Sequence, residues 1–174
     1  MTDLFPSTRR FMVCLLALAL SFLLVSCASR TPAPVEDREV EKRVRTPARQ
    51  DSEGVQVRPL QNPAVIQLTD EARRAEHAGD FDQAAVLLER ALRIQPRDPE
   101  ILQHMAEVQL SKEDYEQALS FAIRSYDIGP RVGEICARNW RTIGVAKEHL
   151  DDPAGAREAE QRSGQCMNTR PAGF

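Results

Sequence analysis

Residues 79–84 read GDFDQA, and residues 113–118 read EDYEQA. The two stretches stand 34 positions apart, and the register extends beyond them: Ala72 answers to Ala106, Asp80 to Asp114, Phe81 to Tyr115, Gln83 to Gln117, Ala84 to Ala118 and Pro96 to Pro130. Agreement at one offset over this span marks an internal repeat, and a period of this length belongs to stacked units that bury one face against the next. Within each unit the local chemistry is that of a helical hairpin. Asn62-Pro63 and Asp98-Pro99 each supply an N-cap side chain followed by proline at the first helical position, where the missing N–H is of no consequence. Asp80 and Asp114 are each followed three residues later by Gln, a capping-box variant that opens a second helix. Gly79 sits where the first helix must stop in a left-handed conformation. Leu68, Phe81, Leu88, Leu92, Met105 and Tyr115 fall on the inward faces of these helices. The expected fold class is all-α, a short solenoid of about three helical hairpins.

The repeated positions resemble the tetratricopeptide repeat family over residues 64–163: a small residue where helix A crosses helix B, an aromatic residue opening helix B, an Ala in its middle and a Pro closing the unit. A third unit follows, displaced by four residues. Trp140, Ile143 and Gly144 take the family's helix A positions, and Asp152, Pro153 and Ala156 reproduce the turn and the small residue of helix B. The insertion falls at residues 131–135 and is expected to lengthen the third helix A at its start. In the last helix Glu160 stands where the family has a large apolar residue, and residues 157–162 are mostly charged, which suits a terminal cap. At its repeat position Trp140 is expected to wedge between two helices.

Upstream of the repeat the chain changes character twice. Arg9 and Arg10 precede an apolar run over residues 11–25, too short for a comfortable membrane span and laid out as an export signal. The run ends in Leu24-Val25-Ser26-Cys27, which resembles the bacterial lipobox at all four positions. The resemblance implies cleavage before Cys27, a covalent lipid on its sulfur, and, with Ala28 rather than Asp next to it, sorting to the outer membrane facing the periplasm. Several acyl chains at roughly 0.8 kcal/mol per buried CH₂ make a stable anchor. The alternative is an ordinary signal cleaved near Ala28. Residues 28–60 contain no aromatic residue and are broken by Pro32, Pro34, Pro47 and Pro59, so they are expected to be a disordered tether. Such a tether averages roughly 30 Å end to end and extends to roughly 110 Å. A transient helix over residues 36–45, through Glu39 with Arg43 and Glu41 with Arg45, is compatible with the spacing. The organisation read this way is a signal peptide over residues 1–26, a lipidated Cys27 with its tether over 27–61, a repeat domain over 62–166 and a flexible tail over 167–174.

The chain has 23 basic and 26 acidic residues, a formal charge of −3. Without residues 1–26, which hold Arg9, Arg10 and Asp3, the charge is −4. No clustered basic stripe points to nucleic acid. Outside the cytoplasm disulfides persist, and with Cys14 in the signal and Cys27 lipidated, Cys136 and Cys166 remain. They lie near the start of the third helix A and near the end of its antiparallel partner, so a Cys136–Cys166 disulfide is expected, with two free thiols as the alternative. His77, His104 and His149 lack metal-ligand spacing, and no nucleophile elbow, phosphate loop or distinctive carboxylate pair is present. Asp151 and Asp152 read as turn and cap residues. No enzyme activity, metal, small-molecule substrate or cofactor is therefore expected beyond the covalent lipid.

Partner recognition in the tetratricopeptide family uses the concave face formed by successive A helices. Helical spacing maps that face onto Arg73, Glu76 and His77 in the first unit, Gln103, Glu107 and Leu110 in the second, and Arg138, Arg141 and His149 in the third. Arg138 and Arg141, a helical turn apart, are expected to grip a carboxylate of the partner. The Lys and Asn clamp of chaperone-tail binders does not stand at the matching positions. The layout resembles LpoP-type lipoproteins that activate class A penicillin-binding proteins, which implies an envelope adaptor acting on a peptidoglycan synthase. An assembly factor for a pilus or secretion complex, or an adaptor for a cell-wall hydrolase or protease, shares the same features.

Overall fold

Five of the six described α-helices begin at an anticipated cap residue, and the remaining one, which starts at Glu134, follows Gly133 with no side-chain cap hydrogen bond. The computed structural model describes residues 39–47 and 62–167, and among them six α-helices follow one another: α1 (Pro63–His77), α2 (Phe81–Ile94), α3 (Pro99–Ser111), α4 (Tyr115–Ile128), α5 (Glu134–His149) and α6 (Pro153–Cys166). Asn62 and Asp98 accept from the first-turn amides of Ala64 and Glu100, both at 2.9 Å. Asp80, Asp114 and Asp152 accept from the amides of Gln83, Gln117 and Gly155. The reciprocal half of the capping box is replaced, because the N–H of each of these aspartates donates backward into the preceding helix. The acceptors are the carbonyls of Ala75, Gln109 and Lys147, at 2.8–2.9 Å. One turn is thus built three times. Its left-handed residue is Gly79 in the first unit and Glu113 and Asp151 in the others, with φ of 77°, 59° and 58°.

The hairpins α1/α2, α3/α4 and α5/α6 stack so that every helix packs on its sequence neighbour. The fold is an all-α tetratricopeptide-type solenoid. Val65, Leu68 and Ala72 of α1, Leu88 and Ala91 of α2, and Ile101, Met105 and Val108 of α3 form the main core. Ala72, Ala84, Ala106 and Ala118 are fully buried, which lets the paired backbones approach closely at the crossings. α5 is 16 residues long against 13 for α3, and the connection before it is one residue longer than that before α3. Most of the insertion therefore extends the helix, at the end anticipated.

The polar last helix is held by three devices. Ala159, Ser163 and Cys166 form a narrow buried stripe of small residues. Trp140 packs edge-on against Tyr126 with ring centroids 4.7 Å apart and receives Arg162 over its face at 4.6 Å. Cys136 and Cys166 are joined in a disulfide with Cα atoms 5.7 Å apart.

One expectation is corrected. The segment read as a disordered tether contains a docked helical turn, the π-helical Val40–Arg45, packed against α3 and α5. Val40 and Val44 are 3% and 0% exposed and meet Leu110, Val145 and Ala146. The compositional argument averaged over the whole segment, whereas docking is set by a few residues, two valines one turn apart and the arginines beside them. The Glu39–Arg43 pair forms at 2.7 Å, while Glu41 accepts from the Thr46 hydroxyl at 2.9 Å and Arg45 turns toward the repeats. Burying a valine contributes about 1.5–2 kcal/mol, whereas ordering one residue costs about 1–2 kcal/mol of backbone entropy. The apolar contact of two valines cannot offset the ordering of residues 39–47, so the docked state depends on its ion pairs. Residues 1–26, Cys27 and the tail from 168 onward lie outside the described residues.

Candidate functional site

Helices α1, α3 and α5 present one face in common, and α3 forms its floor. Gln103 and Glu107, a helical turn apart on α3, are 0% exposed. The Glu107 carboxylate accepts from Arg138 Nε at 2.8 Å and Nη2 at 2.7 Å, from Gln103 Nε2 at 2.9 Å, and from Arg45 Nε at 2.6 Å. Gln103 also donates to Thr142 Oγ1 at 2.7 Å. Arg45 continues to Glu76 at 3.2 Å, and Glu76 meets His104 Nε2 at 3.0 Å. The three stacked units and the docked turn therefore share one polar network.

Its electrostatics follow from burial opposed by pairing. Burial alone would raise the Glu107 carboxyl, but the charges of Arg138 and Arg45 and the hydrogen bonds from Arg138 and Gln103 hold it far below the usual carboxylate range. Glu76 behaves alike: burial raises it, and His104 and Arg45 more than reverse that. Burial opposes the charged forms of Arg45 and Arg138, and the paired carboxylates together more than reverse it, Glu107 with Glu76 at Arg45 and Glu107 with Glu134 at Arg138. All four groups are ionised at neutral pH. Burial and mutual pairing hold these four charges in place.

The anticipated concave residues divide into three groups. Glu76, Gln103, Glu107 and Arg138 come together in the network, and Leu110 lies under Val40 and Val44. Arg73 and His77 are exposed at one end of the face, where with Thr69, His104 and Glu134 they line a polar cleft of about 330 Å³. Arg73 is paired along its own helix with Asp70. His149 marks the other end, stacked on Tyr115 with centroids 4.2 Å apart, its Nε2 3.5 Å from Glu39.

Arg141 does not join them, and the expected Arg138–Arg141 grip on a partner carboxylate is corrected. Arg138 is taken up by Glu107, and Arg141 turns to Glu160 of α6 at 3.6 Å. At about 100° per residue, Arg141 lies roughly 60° to one side of Arg138 and Thr142 roughly 40° to the other. The residue facing α3 is accordingly Thr142. Arg45, His104 and Thr142 were missed as members of the site. For Arg45 the available signal was the Val40/Val44 spacing beside the Glu39/Arg43 pair. Among the described residues no group of His, Cys, Asp and Glu could hold a metal ion.

A tetratricopeptide repeat model matches residues 75–124. Among solved structures, the globular C-terminal domain of P. aeruginosa LpoP is similar at 34% identity with a TM-score of 0.57, over 60% of this chain and 99% of that one. No curated protein matches the sequence.

Proposed function

This chain belongs to the family of tetratricopeptide-type domains that includes the C-terminal domain of LpoP, and on that premise we propose that it is a non-enzymatic envelope adaptor that activates a class A penicillin-binding protein. The observation that carries this reading is the likeness to the LpoP domain over nearly its whole length at 34% identity. The grooved face formed by α1, α3 and α5, with its open end at Arg73 and His77, offers the surface for the synthase. Cys27 carries the lipid, and the adaptor is held at the outer membrane facing the periplasm, where it meets a synthase reaching across from the inner membrane. Its role is to bind and reposition that enzyme.

The test has two parts. Radiolabelled palmitate is expected to enter the wild-type chain and not Cys27→Ser. The purified chain from residue 28 onward is expected to raise the glycosyltransferase rate of a class A synthase from the same organism, and a photocrosslinker at position 73 or 77 to trap that enzyme. An unchanged rate together with no crosslinked synthase would reject the activator reading.

A further inference from the structure

The face shared by α3 and α5 is covered by an upstream segment of the same chain. Residues 39–47 lie across α3 and α5, with Glu39 near His149 at one end and Arg45 between Glu76 and Glu107 at the other. Val40 and Val44 fill the apolar middle formed by Leu110, Val145 and Ala146. Arg43 pairs outward with Glu148 of α5. The contact thus reads out a set of features: two β-branched side chains one turn apart, a guanidinium immediately after the second, and another guanidinium for the acidic rim.

We propose that residues 39–47 are an intramolecular ligand of the groove, and that a partner engages α3 and α5 through a short basic helical segment of the same chemistry, so that strap and partner exclude each other. This rests on reading the A-helix face as the docking surface. The charge of the groove supports that occupant over an acidic one. Glu76 of α1 and Glu107 of α3 are two buried carboxylates, Glu148 of α5 is an exposed one on the rim, and the Arg138 guanidinium of α5 is already engaged by Glu107. An acidic segment placed where Arg45 lies would leave Glu76 and Glu107 facing like charge, whereas an arginine satisfies both.

The strap is tethered to its own groove, which sets an effective concentration on the order of millimolar that any free segment must overcome. Free groove is a minor state in the resting protein, and a partner's apparent affinity is reduced by that fraction.

The experiment titrates a fluorescein-labelled synthetic peptide of residues 36–47, EDREVEKRVRTP, into the chain from Cys27 onward made without lipid as Cys27→Ser. Three forms are compared by fluorescence anisotropy: wild-type, Val44→Asp and Arg45→Ala. The peptide is expected to bind both strap variants at least tenfold more tightly than wild-type, and a peptide carrying Val44→Asp is expected to bind none of them. Equal affinity for all three forms, absence of binding to every form, or equal binding by the substituted peptide each overturns the proposal. Should Val44→Asp lose helicity by circular dichroism, Arg45→Ala decides alone, since it leaves the apolar contacts in place. No synthase enters the titration, so its failure leaves the activator reading standing, and failure to stimulate a synthase leaves the titration standing.

Discussion

Glu107→Gln is the most searching test of how the stacked units are held together. The substitution preserves the shape of the side chain and one acceptor oxygen while removing a charge that is 0% exposed and faces both Arg45 and Arg138. Removing one partner of a buried ion pair costs about 3–5 kcal/mol, because the remaining charge is left uncompensated in a poorly hydrated place. Here Arg45 keeps Glu76 at 3.2 Å and Arg138 keeps Glu134 at 3.8 Å, so the low end applies, about 3 kcal/mol. For a domain of this size that lowers Tm by roughly 10–20 °C, or the urea midpoint by about 1–3 M. The pH dependence has a definite sign. The folded-state pKa of Glu107 lies below its ordinary value of 4.5. A carboxyl depressed in this way contributes its full stability above the unfolded pKa and loses it as pH falls toward the folded one. The gap between wild-type and Glu107→Gln is therefore constant near neutrality and narrows below about pH 4.5, by up to about 1.4 kcal/mol per pH unit. Urea titrations at several pH values, followed by far-ultraviolet circular dichroism, measure both quantities. A loss of less than about 1 kcal/mol at neutral pH, or a gap that stays constant on acidification, would refute the assignment of Glu107 as the charge on which the network balances.

Two further outcomes follow from the geometry. The Cys136–Cys166 disulfide closes a loop of sequence separation 30, so Cys136→Ala with Cys166→Ala should destabilise the domain by roughly 3–4 kcal/mol. Hydrogen exchange should rise first in α6; equal protection of α6 in both proteins would contradict this. Gly144 occupies a tetratricopeptide helix A position, yet an added Cβ would meet only Ala159 Cβ at 3.5 Å and Ala156 O at 3.6 Å, ordinary contacts. Gly144→Ala should accordingly stabilise the domain by about 0.5–1 kcal/mol through helix propensity, and a lowered Tm would show that the α5/α6 crossing tolerates no methyl group.

Much of the architecture was legible in the residues because its determinants are local. An aspartate accepting from the amide three residues on, a left-handed residue before it and alanines at the crossings are decided within one turn of chain, and the 34-residue echo aligns them across units. The third unit was legible despite its displacement for the same reason. The face used for binding was only half legible. Helical spacing places Glu76, Gln103, Glu107 and Arg138 on one side of their helices, yet it cannot tell an exposed charge from one neutralised by a neighbouring helix. Arg141 illustrates the limit: a rotation of roughly 60°, together with the position of α6, sends it to Glu160.

What the amino-acid order determined by itself is the all-α repeat, its turns and the faces of its helices, since capping, periodicity and small-residue spacing act between residues a few positions apart. Only the tertiary structure decided that Glu107 would be closed over by Arg45, 62 residues away, and that a stretch poor in apolar residues would dock at all. A charged side chain is at home in water until the stacking of three hairpins creates an acidic groove to receive it. That groove exists in no single segment of the chain.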